Sequence, residues 1–256
     1  MANGPLLNYQ SNIRRFLFEK SLLKSLIIDG SLFHRIIKVL RMTVGEQFIL
    51  FDGLGRESVF QIKEISKGSF LAVSVNSEYT MDIPSLPNVT LAIGILKLQK
   101  FDFVIQKCTE IGIRTIVPLF TERTIIRPPL KNQKFVRWNS IAKAAAEQSK
   151  RIVIPEVLEG VTFKEYISNL REDNYSIMPY ENETNLQLSD VLKKMKISEK
   201  GINLIIGPEG GFSSEEVLLA HQKNIKIVTL GTAILKAETA AIVTSALIFS
   251  RMGLLG

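Results

Sequence analysis

The sequence predicts an α/β protein in which a mostly parallel sheet follows a smaller, β-rich module. From residue 89 onward, short apolar runs alternate with segments of helical periodicity, which is typical of βαβ units and a parallel sheet. Before residue 81 the pattern is instead one of strands joined by tight turns. Two prolines within residues 81–88 mark the boundary between the two patterns.

The N-terminal module is predicted to be a small β-barrel. Residues 47–51 and 56–65 form a hairpin around a turn at Asp52 and Gly53, and residues 70–75 supply a further strand.

One amphipathic helix is predicted in this module, over residues 32–41. Its apolar positions recur at i, i+3, i+4 and i+7 from Phe33. The opposite side carries His34, Arg35, Lys38 and Arg41. A basic helix face is either solvated surface or a binding surface for RNA phosphates.

The C-terminal part begins with residues 89–96, which are almost wholly apolar, as expected of a strand buried on both faces. The other predicted strands are 114–120, 175–180, 201–207 and 225–230, and the predicted helices are 101–111, 134–149, 188–195, 214–223 and 238–251. The last helix is too apolar for a surface helix, so we expect it in a core or at a subunit interface.

The net charge of +7 is concentrated in residues 85–160, which hold 12 Lys and Arg against 6 Asp and Glu. Such a region suits a polyanion such as RNA, although a solvated basic surface is an equal alternative. No apolar run reaches the roughly 18 residues of a membrane helix, and the N-terminus does not resemble a signal peptide. With a single cysteine as well, we expect a cytoplasmic protein without membrane contact. Two histidines and one cysteine, none clustered, predict no metal site.

A glycine-rich loop at residues 207–211 follows a predicted strand. It matches neither the P-loop nor the dinucleotide fingerprint, which argues against a nucleotide-hydrolysing enzyme. Glu209 suits a cationic or zwitterionic ligand better than a phosphate. Ser213 and Glu216 form a capping box, so a helix starts directly after the loop. A second such loop, at 230–239, emerges at the same edge of the predicted sheet, and together the two loops predict a ligand site there.

Five segments, in order along the chain, resemble the bacterial 16S rRNA uridine-N3 methyltransferases, which are S-adenosylmethionine-dependent enzymes of the SPOUT class: 101–113, 119–124, 144–151, 206–217 and 230–242. Residues 34–55 are similar to that family's PUA-like RNA-binding domain.

The resemblance implies a PUA-like barrel over residues 1–80 and a SPOUT methyltransferase domain over residues 86–256. The second domain is expected to be a mostly parallel sheet with a trefoil knot and helices on both faces. The implied partners are S-adenosylmethionine, 16S rRNA of the small ribosomal subunit, and a second copy of the chain in a homodimer. The residues that carry over as cofactor-binding are Pro179, Tyr180, Gly207, Glu209, Gly210, Gly211, Leu230, Gly231, Leu235 and Thr239.

The candidates for catalysis are Glu238, as the base that removes the uracil proton, and Lys236, as the cation that stabilises the anion. The family usually has Arg-Thr where this chain has Lys236-Ala237. A lysine keeps the charge and loses the planar fork of arginine. Two alternatives therefore stay open: a SPOUT enzyme for another RNA position, such as a tRNA ribose, or a non-catalytic RNA-binding or ribosome-assembly factor.

The candidates for RNA contact extend beyond the basic helix of the first module. We expect Arg14 and Arg15 beside its RNA face, and Lys100, Arg123 and Arg127 at the catalytic cleft. The full set of RNA-binding candidates is Arg14, His34, Arg35, Lys38, Arg41, Lys100, Arg123 and Arg127.

Overall fold

The computed structural model describes residues 13–75, 79–80, 88–126, 132–195 and 201–256. The chain divides into two compact units between Ile83 and Pro84, and the short segment Lys150–Val153 belongs with the first unit.

The first unit is built on a mixed six-stranded sheet. Its strands are β1 (Arg15–Leu17), β2 (Ser25–Asp29), β3 (Gln47–Phe51), β4 (Arg56–Ile65), β5 (Ser69–Ser74) and β6 (Tyr79–Thr80). They follow the order β1-β3-β4-β5-β2, with β6 paired to β4. The predicted hairpin is confirmed as β3 and β4, and β5 adds to it antiparallel. The strands β1 and β2 were not predicted.

The predicted amphipathic helix of this unit is present, but most of it is not an α-helix. A short α1 (Gly30–Phe33) continues as a π-helix over His34–Val39. The Leu40 N–H donates to the Arg35 carbonyl at 3.0 Å, an i to i+5 bond that apolar spacing does not report. The apolar side packs into the core as predicted, and all four polar candidates on the other side are exposed.

Arg15 has a structural role in this unit. Its guanidinium bonds the Glu57 carboxylate at 2.5 Å and lies 4.6 Å from the centre of the Phe51 ring. Both members of the ion pair are nearly buried, so the Arg15 side chain offers little surface for an RNA contact, and its place beside the RNA face stays a prediction. Arg14 is exposed, and its guanidinium donates to the Leu40 carbonyl at 3.2 Å.

The second unit is a seven-stranded sheet in which every strand pair is parallel. Its strands are β7 (Val89–Gly94), β8 (Thr115–Phe120), β9 (Glu156–Val157), β10 (Val161–Thr162), β11 (Tyr175–Pro179), β12 (Ile202–Ile206) and β13 (Lys226–Val228). Its helices are α2 (Leu98–Ile111), α3 (Asn132–Gln148), α4 (Phe163–Ser168), α5 (Leu188–Lys194), α6 (Ser214–Gln222) and α7 (Ala237–Arg251). The strand order is β10-β8-β7-β12-β11-β13, with β9 paired to β8.

Helices cover both faces of this sheet, as β7 illustrates. Leu91 and Ile93 join one apolar cluster, with side chains of α2, α3, α5 and α7. Ala92 joins another, with side chains of α4 and α6. The prediction that this strand is buried on both faces is confirmed.

The last helix packs against α2 and β12 rather than against the neighbouring β13. After the edge strand the chain therefore returns to the middle of the sheet. Within the part of the chain that the structure describes, no helix is long and apolar enough to cross a membrane.

Candidate active site

A cleft of about 820 Å³ lies in the second unit at the carboxyl ends of β11, β12 and β13. Because all three strands run parallel, the loops that leave them meet at one edge of the sheet. The lining residues are Lys100, Pro179–Glu181, Glu183, Thr184, Gln187, Ile206–Glu209, Gly211, Phe212, Thr229–Ala237 and Ala240.

The first wall is the loop at 207–213, which we call the donor loop after the methyl donor that the sequence analysis expects there. The Gly211 N–H donates to the Pro208 carbonyl at 2.9 Å, closing a tight turn, and Gly211 itself has a φ of +69°. A larger residue at this position would be strained by the left-handed φ, and its Cβ would require the nearby Glu181 carboxylate to move. The capping box of Ser213 and Glu216 is confirmed and starts α6 directly after the loop.

The donor loop also depends on a glycine that the sequence analysis did not single out. A Cβ built on Gly94, at the end of β7, would lie 2.5 Å from the nitrogen of Pro208. Only glycine therefore allows the end of β7 to approach the donor loop this closely.

The second wall is the segment from Thr229 to Lys236. The Gly231 N–H donates to the Thr229 hydroxyl at 3.3 Å, and that hydroxyl donates to the Gly231 carbonyl at 3.1 Å. Leu230 and Leu235 are half-buried and give this wall its apolar surface. Lys236 is the exposed N-cap residue of α7, and its carbonyl accepts the first helical bond from the Ala240 N–H.

Three charged side chains meet beside the donor loop. The Lys100 ammonium lies 3.4 Å from a carboxylate oxygen of Glu209 and 3.6 Å from one of Glu238. The same Glu209 oxygen accepts the Lys97 N–H at the start of α2, at 3.3 Å. The other Glu238 oxygen is buried and has no hydrogen-bond partner among the described residues.

A third wall, after β11, was largely missed by sequence reasoning. It consists of Glu181, Glu183, Thr184 and Gln187. The N–H groups of Asn185 and Leu186 donate to the Glu183 carboxylate and hold its pKa below the ordinary value. The signal was present, since a polar run directly follows this parallel strand, and such runs belong to the same sheet edge.

Most of the predicted cofactor residues lie on this cleft. Pro179, Tyr180, Gly207, Glu209, Gly211, Leu230, Gly231 and Leu235 line it. Gly210 and Thr239 adjoin lining residues in the chain without lining the cleft themselves.

The RNA-binding candidates are distributed over both units. Arg14, His34, Arg35, Lys38 and Arg41 are exposed on the first unit. Lys100 and Arg123 lie beside the cleft of the second unit, whereas Arg127 falls outside the described residues. Among the residues that are described, no three His, Cys, Asp or Glu side chains come together in a way that could hold a metal ion.

Comparison with known families agrees with both units. Residues 84–249 match the model of an RNA methyltransferase domain, and residues 28–73 match that of an RNA methyltransferase PUA domain. The chain belongs to the RNA methyltransferase family.

Relatives of this methyltransferase carry a more specific name. The Ribosomal RNA small subunit methyltransferase E of Rickettsia conorii is 34% identical, over 82% of each chain. The protein of the same name from Bacillus subtilis is 31% identical, over 83% of this chain and 85% of its own.

Solved structures confirm the fold class. A Ribosomal RNA small subunit methyltransferase E from Neisseria gonorrhoeae, bound to S-adenosyl methionine, matches with a TM-score of 0.81 and 30% identity. That match covers 93% of this chain and 98% of the other. A Legionella pneumophila protein in complex with the same cofactor matches with a TM-score of 0.79 and 28% identity, over 93% and 98%. The predicted SPOUT-type knotted sheet with a PUA-like N-terminal domain is confirmed.

Proposed function

We propose that this methyltransferase transfers a methyl group from S-adenosylmethionine to N3 of a specific uridine in 16S rRNA of the small ribosomal subunit. The observation that carries the proposal is the cleft between two glycine-containing loops at the carboxyl edge of a parallel sheet. The names of the relatives and the cofactor in their solved structures support it.

The cleft suits the proposed methyl donor in size and in chemistry. Its volume of 820 Å³ falls in the range of about 300 to 1,000 Å³ that is typical of small-molecule sites. Ile206, Leu230 and Leu235 offer apolar surface, while Glu181 and Glu209 offer negative charge to a cationic ligand. When bound, the donor supplies a methyl group on a positively charged sulfur. We assign binding of the donor to Glu181 together with the cofactor residues named from the sequence. These residues are Pro179, Tyr180, Gly207, Glu209, Gly210, Gly211, Leu230, Gly231, Leu235 and Thr239.

Glu238 and Lys236 are our candidates for catalysis. Glu238 is our candidate for the base that accepts the proton which uracil N3 must lose; one of its oxygens has no hydrogen-bond partner among the described residues, and the other lies 3.6 Å from the Lys100 ammonium. Lys236 is exposed at the start of the same helix, where its ammonium can stabilise the uracil anion. Holding the ring nitrogen in place would supply much of the remaining rate enhancement.

The two units would divide the task. Residues 1–80 would bind RNA through the exposed basic side of the π-helical segment and through Arg14, and residues 86–256 would carry the chemistry. Lys100, Arg123 and Arg127 remain candidates for contact with the target nucleotide.

The methyltransferase would act in the cytoplasm as a homodimer. Support for the homodimer comes from α7, on which the apolar side chains of Val243 and Leu247 are 37% and 45% exposed. Light scattering after size exclusion should give twice the mass of the chain, and Leu247→Lys should shift it toward the monomer. An unshifted mass would exclude this face as the interface.

Nucleoside mass spectrometry of rRNA from a deletion strain tests the main proposal. N3-methyluridine should disappear from 16S rRNA and return with the wild-type gene but not with Glu238→Gln. Loss of a tRNA ribose methylation instead would favour a different SPOUT activity. No change in any modified nucleoside, with no calorimetric binding of S-adenosylmethionine, would favour a non-catalytic assembly factor.

A further inference from the structure

The connection between β8 and α3 begins with a rigid turn, Thr121–Thr124. The two threonine hydroxyls lie 2.8 Å apart, and the Thr121 N–H donates to the Thr124 hydroxyl at 3.1 Å. Both side chains are buried. The turn therefore presents the two residues between them, Glu122 and Arg123, in a fixed direction.

Arg123 reaches from this turn to the donor loop. Its guanidinium donates to the Gly210 carbonyl at 3.0 Å, across 87 positions of the sequence. The backbones are also close, because a Cβ built on Gly210 would lie 3.1 Å from the Cβ of Arg123. The carbonyl of Gly210 and the N–H of Gly211 belong to one peptide plane, so Arg123 also fixes the N–H that closes the Pro208 turn.

A second bond joins the same turn to the far end of the donor loop. The Glu216 carboxylate is almost buried, and each of its oxygens accepts one N–H. One bond, at 2.9 Å, comes from Ser213 and completes the capping box. The other, also at 2.9 Å, comes from Glu122. The turn therefore holds the donor loop directly at Gly210 and, through the Glu216 carboxylate of α6, at Ser213.

We propose that Arg123 is a positioning residue for the methyl donor, acting through the Gly210 carbonyl, with Glu216 as its counterpart at the other end of the loop. This inference deepens the proposed function, on which it rests, and it reassigns a residue that charge alone places among the RNA contacts. Because the Arg123 guanidinium is charged, its hydrogen bond to the Gly210 carbonyl is charge-assisted and therefore stronger than one between neutral groups. Its main effect is on the shape of the donor site before any RNA arrives.

Calorimetric titration of S-adenosylmethionine into the full chain, without RNA, tests this role. Arg123→Ala should weaken donor binding about fivefold, the effect of losing one hydrogen bond to a charged group that is partly exposed. Arg123→Lys should recover part of the affinity, because an ammonium can still donate to the carbonyl. Arg171→Ala removes the same charge from an exposed ion pair before β11 and should leave the affinity unchanged.

A second pair of variants tests the other end of the loop. Glu216→Gln replaces one accepting oxygen by an amide that cannot accept, and should weaken donor binding about five- to tenfold. The control is Glu215→Gln, at the adjacent exposed position. Melting temperatures, measured alongside, should stay high enough for all five variants to be folded during the titration.

The outcomes separate the inference from the proposed function. Wild-type affinity in both Arg123→Ala and Glu216→Gln, with only RNA binding reduced in the first, would overturn the inference and leave the proposed function standing. If the wild-type chain does not bind S-adenosylmethionine, the proposed function itself is contradicted. In steady-state assays, a raised KM for the donor at nearly unchanged kcat supports the positioning role.

Discussion

Lys100 shows how two contacts within the fold change the interpretation of a basic residue. By sequence it is one of several cations suited to RNA. In the structure its ammonium lies between the carboxylates of Glu209, on the donor loop, and Glu238, in the first turn of α7. Its charge is therefore largely balanced within the protein. A direct contact with RNA phosphate stays a prediction, and any such contact would compete with two carboxylates.

Cys108 should be chemically inert in the native protein. The thiol is fully buried on α2, and burial raises its pKa to about 12. Almost no thiolate exists at pH 8, and thiolate is the reactive form. Ellman's reagent should therefore label no thiol under native conditions and one thiol in denaturant. Rapid labelling of the native protein would contradict the burial.

At the scale of elements, the end of β7 and the donor loop form one packed unit. We expect Gly94→Ala to lower the free energy of unfolding by about 1–3 kcal/mol, since the new methyl group meets the backbone of Pro208. Donor affinity should fall as well, because the loop must move. Gly253→Ala is the control, since its Cβ meets open space and only its φ of +70° adds strain, of roughly 1 kcal/mol. Chemical denaturation that found no loss of stability in Gly94→Ala would contradict the close approach.

The capping box at the start of α4 makes the folding stability of the protein depend on pH. The Thr162 hydroxyl and N–H donate to the Glu165 carboxylate and lower its pKa below the ordinary value of 4.5. The resulting stabilisation is present above pH 4.5 and is lost as the pH falls through the lower, folded-state pKa. The difference in melting temperature between wild type and Glu165→Gln should therefore shrink between pH 7 and pH 3. Glu159→Gln, at an exposed position in the preceding connection, is the charge-matched control.

At the scale of the whole molecule, RNA binding should be strongly salt-dependent, with part of the dependence in the first unit. Lys38 is exposed on the π-helical segment, 5.8 Å from the centre of the Phe33 ring. If it neutralises one phosphate, Lys38→Gln should reduce the slope of log affinity against log salt by about 0.7 to 0.9. Lys164→Gln on the exposed side of α4 is the charge-matched control. Identical slopes for both variants would mean that Lys38 is only solvated surface.

The sequence predicts the fold wherever the information is local. The apolar run 89–96, the turn at Asp52 and Gly53, and the Ser213–Glu216 capping box each follow from neighbours in the chain, and each is confirmed. The π-helical hydrogen bonds at His34–Val39 were not predictable, because one extra residue in a turn leaves the apolar spacing readable as an α-helix.

The site was predictable as far as motifs reach. Its two glycine-containing loops were found because parallel strands place their ends together. The contacts that hold the donor loop in place could not be predicted. The bond from Arg123 to Gly210 and the approach of Gly94 to Pro208 join residues that only the completed sheet brings together.

The strand order also has a consequence for how the chain is made. In the middle of the second sheet β7 pairs with β12, so Val89 lies opposite Ile202. One edge of the apolar β7 pairs with β8, which follows soon after in the chain, but the other edge stays unpaired until a strand that is translated more than a hundred residues later. Distant parallel pairing is slow to form and exposes strand edges to aggregation in the meantime. The yield of folded protein should therefore depend on how long this strand edge stays exposed while the rest of the chain is being made.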